Sequence, residues 1–199
     1  MLFKRGFAHI AGTDEVGRGP LAGPVVAACV ILPGSCNPAL YCDSKKTTEK
    51  QRYALRDTLL NAETPIGIGI VSPRTIDQIN ILQASLLAMK KSILDMSGKT
   101  SPPDFILVDG TFAVPLDIPQ ETLTKGDSRS ATIGAASIIA KITRDEIMKV
   151  LHEKYPSYNF ISNKGYPTRQ HKEAIEQFGP CPEHRLSFRG VKEFVKTAD

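Results

Sequence analysis

Asp14 and Asp109 each close an apolar run, Ala8–Thr13 in one case and the segment Asp104–Asp109 (DFILVD) in the other. A carboxylate in that position leaves the buried run and meets the open end of a sheet, where sites in α/β proteins commonly lie. If the two strands are neighbours, the carboxylates come within a few ångströms, repel, and raise each other's pKa unless a cation intervenes. Oxygen-only ligands favour Mg²⁺ or Mn²⁺, and no His or Cys stands at a zinc spacing. A strand-end Asp taken singly also serves to cap a turn.

Two further acidic residues belong with this pair. Asp127, in Lys125-Gly126-Asp127-Ser128, precedes a long helical pattern and is the third candidate, although an Asp there also stabilises the positive end of the helix dipole. Asp145 lies roughly 27 Å further along that helix at 1.5 Å per residue, too far to share the site, and is expected to pair with Lys141 or Lys149. Glu15 follows Asp14 directly, and neighbours on a regular strand point to opposite faces. The two can serve one centre only if the strand ends or distorts there, or if Glu15 acts from the loop. Gly17-Arg18-Gly19-Pro20 comes next, and two glycines around an arginine let backbone N–H groups approach a ligand beside a guanidinium that suits phosphate. An anion-binding turn next to an acidic cluster suits a metal that bridges carboxylates and a phosphodiester.

These residues need elements to position them. Val25–Leu32 reads as a buried strand, and Ile66, Ile68 and Ile70 alternate with Gly67 and Gly69 as a strand with one bulky and one bare face. Thr48-x-x-Gln51 is a capping box that opens a helix to about Leu60. Ser72-Pro73 and a Thr75-x-x-Gln78 box start the next helix, which carries Ile76, Ile79, Leu82, Leu86, Met89 and Ile93. A long buried helix is predicted from about Ser130 to Tyr155, with shorter ones near Arg169–Phe178 and Gly190–Lys196. The order implies an α/β fold with a mixed sheet, in one domain over 1–199 that ends in a helical extension from about 168.

At 199 residues, 41% hydrophobic and 23% charged, the chain has an ordinary globular composition and needs no disulfide framework. The longest apolar run, Val25–Leu32, is eight residues, against the roughly 20 that span a bilayer. The first residues lack the apolar core of a signal peptide, and the four cysteines are scattered as in a reducing compartment, so a cytoplasmic location is expected. A net charge of +4 permits a polyanionic partner. Lys45, Lys46, Arg185, Arg189, Lys192 and Lys196 would either follow a phosphate backbone or form a solvated face.

Asp14-Glu15-Val16-Gly17-Arg18-Gly19-Pro20-Leu21-Ala22-Gly23-Pro24-Val25-Val26 resembles the opening signature of ribonuclease HII. The resemblance continues through Asp43-Ser44-Lys45-Lys46, Ile76-Asp77, Asn80-Ile81, Val108-Asp109-Gly110, Lys125-Gly126-Asp127, Ala135 to Lys141, Arg144-Asp145, Gly165-Tyr166-Pro167-Thr168, His184-Arg185 and Ser187-Phe188. It covers almost the whole chain in the expected order. Gly134 departs from the pattern, where an alanine is more usual, and is expected to loosen the helix start. The chain lacks the extra N-terminal domain of the related ribonuclease HIII and an obvious clamp-binding tail, so no sliding-clamp or other protein partner is expected, and a monomer is.

The resemblance implies an RNase H-like mixed β-sheet flanked by helices. It also implies cleavage of RNA in RNA–DNA hybrids, including nicking on the 5′ side of a single ribonucleotide embedded in duplex DNA. It places the metal-binding, catalytic carboxylates at Asp14, Glu15, Asp109 and Asp127. It places recognition of the ribose 2′-OH at Gly17, Arg18 and Gly19, and a junction-sensing ring at Tyr166. Two Mg²⁺ or Mn²⁺ ions would bracket the scissile phosphate and leave a 5′-phosphate and a 3′-hydroxyl. The readings that compete are another RNase H-like nuclease, such as a resolvase or exonuclease, a noncatalytic nucleic-acid-binding module, and a small-molecule phosphatase.

Overall fold

A computed structural model describes residues 2–42 and 47–195. Asp43-Ser44-Lys45-Lys46 and Lys196 lie outside the described residues.

Five strands, β1 (Ile10–Val16), β2 (Val25–Ile31), β3 (Ile66–Val71), β4 (Phe105–Asp109) and β5 (Gln120–Leu123), form one mixed sheet in the order β3-β2-β1-β4-β5. β1, β2 and β3 are antiparallel neighbours, whereas β4 runs parallel to β1 and β5 parallel to β4. The helices are α1 (Glu49–Asn61), α2 (Pro73–Ser97), α3 (Gly126–Arg129), α4 (Ala131–Lys154), α5 (Phe160–Asn163) and α6 (Arg169–Phe178).

Alternation along β2 shows how the two faces are filled. Val25, Ala27 and Cys29 join Ile76, Ala84, Ala88, Met89, Ile93 and Met96 of α2 in one core. Ala28 and Val30 join Ala135, Ala136, Ile138, Ile139 and Ile142 of α4 in the other. The bare face of β3 lies against α2 so closely that a Cβ on Gly67 would strike the Ser92 carbonyl and the Met96 backbone. Gly12 does the same for α4, since a Cβ there would meet the Ile133 and Thr132 backbone. A third core, around Leu21, Ala22, Met148, Tyr158, Phe160, Ile175 and Val191, joins the C-terminal region to the end of α4 and the segment after the glycine-rich turn.

The predicted capping box is present: Thr48 Oγ1 accepts from the Gln51 N–H at 3.3 Å, and Gln51 Oε1 accepts from the Thr48 N–H at 2.8 Å. α4 and α6 match their predicted extents. α2 starts at Pro73 under a Ser72 cap, with Thr75 inside the first turn, and it is interrupted at Asn80 (φ 65°, ψ 167°). There Asn80 Oδ1 accepts from the N–H groups of Leu82 and Gln83 and caps a fresh helix start. The helix expected at Gly190–Lys196 is only a 3₁₀ turn, Lys192–Phe194. Gly134 does not loosen α4. It is buried, its N–H donates to Ser130 O at 2.9 Å, and a Cβ would strike the carbonyl of Tyr41. The glycine lets that strand-to-helix segment lie on α4.

Close contact at the bare face of β3 has a measurable consequence. Gly67→Ala should destabilise the protein by about 1–3 kcal/mol through overpacking. Gly34→Ala, where a Cβ meets nothing within 4 Å, should stay within about 0.5 kcal/mol of the parent in denaturant titrations.

Candidate active site

Parallel pairing of β1 with β4 sets Thr13 opposite Val108, so the next residues, Asp14 and Asp109, stand side by side at the strand ends, roughly 5 Å apart across the sheet. Asp14, Glu15 and Asp109 border one cavity of about 360 Å³, together with Val16, Arg52, Ser137, Ile138 and Lys141. Asp14 is buried, and its pKa is raised well above the usual carboxylate value. Burial is the main cause, followed by the charges of Glu15 and then Asp109, while hydrogen bonds from Ser137 and from the Glu15 N–H oppose it. Burial also raises Glu15, against the pull of Arg18.

The expectation that β1 ends at Asp14 holds on one side only. The ladder with β4 stops at Thr13, but Asp14 and Glu15 still pair with Ala28 and Ala27 of β2. On this half-released stretch the Glu15 N–H donates to its neighbour's carboxylate, Asp14 Oδ1, at 2.7 Å. Glu15 Oε1 accepts from Arg18 Nη1 at 3.3 Å, which joins the acidic cavity to the glycine-rich turn. Asp127 takes a different place. It is buried in α3 and does not border the cavity, but the N–H of the preceding Gly126 donates to Asp109 Oδ1 at 2.7 Å. Among the described residues, no three His, Cys, Asp or Glu side chains form a ready coordination shell. Asp14, Glu15 and Asp109 each have an oxygen engaged by a protein donor. Asp145 pairs with Lys141 at 2.7 Å, as expected.

The turn is held from beneath. Gly17 has φ +98°, a conformation that favours glycine, and a Cβ there would strike the Arg144 guanidinium. Arg185, expected on the surface, is completely buried, and its guanidinium donates to the carbonyls of Gly17, Arg18 and Gly23. Because the peptide unit is planar and trans, carbonyls that point at Arg185 turn the N–H groups of Arg18 and Gly19 the opposite way. Both residues are exposed. The Tyr166 ring stands over this turn, with one ring carbon 3.6 Å from where a Gly19 Cβ would lie, and Tyr166 is 42% exposed.

Sequence reasoning overlooked Ser137 as a partner of Asp14, Arg52 as a wall of the cavity, and the internal role of Arg185. Ser137 had one available signal, since it lies within the first two turns of a helix predicted to be buried, beside the small residues Ala135 and Ala136.

Comparison with known proteins gives the family and the fold. The sequence is 57% identical over 194 residues to the ribonuclease HII of Desulfotalea psychrophila, covering 98% of this chain and 86% of that protein. The fold superposes on the ribonuclease H2 of Pyrococcus horikoshii OT3 with a TM-score of 0.74 at 26% identity, over 94% of this chain and 97% of that one. It also superposes on Bst-RNase HIII in complex with Mn²⁺ with a TM-score of 0.71 at 17% identity, over 93% of this chain and 68% of that one. The profile of the family described as Ribonuclease HII matches residues 11–191, and the chain therefore belongs to the ribonuclease HII family of ribonuclease H hydrolases.

Proposed function

We propose that this protein cleaves the RNA strand of RNA–DNA hybrids and nicks on the 5′ side of a single ribonucleotide in duplex DNA, leaving 5′-phosphate and 3′-hydroxyl ends. The observation that carries the reading is continuity: the acidic cavity, the Gly17–Gly19 turn and the Tyr166 ring adjoin through the Glu15–Arg18 pair and the Gly19–Tyr166 approach.

The donor set fits a divalent cation. Asp14, Glu15 and Asp109 offer hard oxygen ligands, and a buried carboxylate lifted by two acidic neighbours is the situation a divalent cation relieves. Asp127, next to the Gly126–Asp109 bond, is proposed as the fourth ligand. Mg²⁺ or Mn²⁺, two ions with substrate bound, would supply Lewis-acid activation of water and stabilise charge on the leaving oxygen. The chain's own residues do the rest. Ser137 holds the Asp14 carboxylate. The outward N–H groups of Arg18 and Gly19 take a phosphate or the 2′-OH, the feature that separates RNA from DNA. Tyr166 stacks against the sugar or base.

The test is a labelled duplex with one ribonucleotide, compared with an all-hybrid and an all-DNA duplex in Mg²⁺ or Mn²⁺. Metal-dependent nicks 5′ of the ribonucleotide are expected. Cleavage of the all-DNA duplex would favour a resolvase or exonuclease, and binding with no nicking would favour a noncatalytic module.

Asp14→Asn should lower turnover by more than the roughly 10–100-fold that loss of an outer-shell partner costs. The pH response has a definite sign. Asp14 titrates higher folded than unfolded, so the folded state binds more protons across that interval, and metal-free stability falls as pH rises through it. The Asn variant should lose that slope and melt higher than the parent in EDTA at neutral pH. The thermal stabilisation that the parent gains from Mn²⁺ should shrink in the variant.

Gly19 is a cleaner probe of the turn than Gly17, because a Cβ at Gly17 carries both the positive φ and the Arg144 collision. Gly19→Ala should melt within about 0.5 kcal/mol of the parent. It should nevertheless reduce cleavage at a single ribonucleotide while duplex affinity holds in a gel-shift titration. Unaltered cleavage would remove the turn from recognition.

A further inference from the structure

Two histidines and an arginine of the C-terminal region are buried and stand outside the chemistry proposed above. His171 and His184 have 0% and 1% exposure, and their Nε2 atoms are 3.0 Å apart. Two ring nitrogens bond only if one carries the proton and the other does not, and the outer contacts decide which. The Cys181 backbone N–H, which can only donate, is aimed at His184 Nδ1 at 3.0 Å, nearer than the Cys181 sulfur at 3.1 Å or the Cys181 carbonyl oxygen at 3.3 Å. His184 Nδ1 is therefore an acceptor, and its ring proton lies on Nε2. His171 accepts that proton's bond at Nε2, so its own proton lies on Nδ1, which donates to the Tyr166 carbonyl at 2.9 Å. The direction is consistent from end to end, from Cys181 to His184, to His171, to Tyr166.

The surroundings keep both rings neutral. Burial and the neighbouring imidazole lower His184 to about 4, and burial lowers His171. Tyr158 meets both imidazoles edge-on. The next residue, Arg185, holds the Gly17 and Arg18 carbonyls, and its own backbone N–H donates to Leu21 O at 2.8 Å. Asp77 of α2 fastens the residues that follow, accepting from the N–H groups of Leu186 and Ser187 at 2.8 and 3.0 Å.

We infer that His184 and Arg185 act as one positioning element, in which His184 sets Tyr166 through His171 while Arg185 sets the glycine-rich turn, so that adjacent residues fix the gap in which the ribose is read. The inference rests on the proposed role of the turn and Tyr166 in recognition. A rigid gap matters most when the substrate offers one ribose. A long hybrid offers a ribose at every register and tolerates a displaced ring, whereas a lone ribonucleotide has one productive register.

The test compares kcat and KM on the single-ribonucleotide duplex and the long hybrid for the parent, His171→Phe, the double variant His171→Phe/His184→Phe and Arg185→Lys. The double variant leaves neither imidazole half-paired, and melting curves report which variants fold. For folded variants, kcat/KM on the single ribonucleotide should fall roughly tenfold or more relative to the hybrid, through kcat rather than KM. Nitrogen-15 spectra of the parent histidines should show His184 protonated at Nε2 and His171 at Nδ1. Opposite tautomers, or equal losses on both substrates in folded variants, would overturn the inference. Gly19→Ala and Tyr166→Ala separate it from the reading beneath it. If neither shifts the substrate preference, the recognition reading fails and takes this inference with it. If they shift it and His171→Phe does not, only the positioning role fails.

Discussion

Like charges held close together are the constraint on which this molecule is organised. Asp14 and Asp109 are placed side by side by the in-register pairing of two parallel strands, and Glu15 follows in sequence. Left in water, such carboxylates would separate. Here the backbone forbids it, since just past the end of the β1–β4 ladder Asp14 is still paired with Ala28 of β2 and Asp109 with Leu123 of β5. Burial adds to the repulsion by taking solvation from the charged form, and it is the leading cause that raises Asp14, ahead of the charges of Glu15 and Asp109. The fold answers with dipoles more than with cations. Ser137, the Glu15 N–H and the Gly126 N–H each meet a carboxylate, and Arg18 supplies the cation that acts on Glu15.

The architecture around the pair holds it close to α4. Gly12 lets the start of that helix approach β1 to backbone contact. The same economy of side chains recurs at Gly134 under Tyr41 and at Gly67 and Gly69 under α2. These contacts make the sheet and its two covering helices a rigid frame, and a rigid frame is what a constellation of repelling groups requires.

Much of this could be read from residue order. Asp14 and Asp109 end runs whose hydrophobicity announces buried strands, and Thr48-x-x-Gln51 forms the cap its spacing promises. What escaped has physical reasons. β5 is a four-residue edge strand, Gln-Glu-Thr-Leu, with no apolar alternation, and only its partner β4 identifies it. The break at Asn80 depends on a side chain that folds back to cap its own helix, an option open to any Asn and signalled by none. The split behaviour of β1, free of β4 yet still paired with β2 at Glu15, is a property of strand neighbours rather than of one strand. Arg185 was misplaced on the surface because sequence alone prices a guanidinium as a solvated charge. Its burial is decided by carbonyls from the distant segment Gly17–Gly23.

That burial gives the turn its orientation. Arg144 and Arg185 are both fully buried, and among the described residues neither lies within ion-pair distance of a carboxylate. Desolvation is the first cause lowering each, and together with the Arg144 charge it brings Arg185 to about 9. Two such groups are costly to bury, and carbonyl oxygens carry only partial charge, so each guanidinium must collect several. Arg144 takes Ala22, Pro24 and Lys164, and Arg185 takes Gly17, Arg18 and Gly23. Satisfying them forces the carbonyls of Gly17, Arg18, Ala22, Gly23 and Pro24 inward, and planar peptides then present N–H groups outward from Arg18 and Gly19. The positive interior and the donor-rich exterior are one arrangement. It lies against an acidic cavity, so opposite electrostatic characters meet at the Glu15–Arg18 pair, where a phosphate and the cations that accompany it would each find a complementary side.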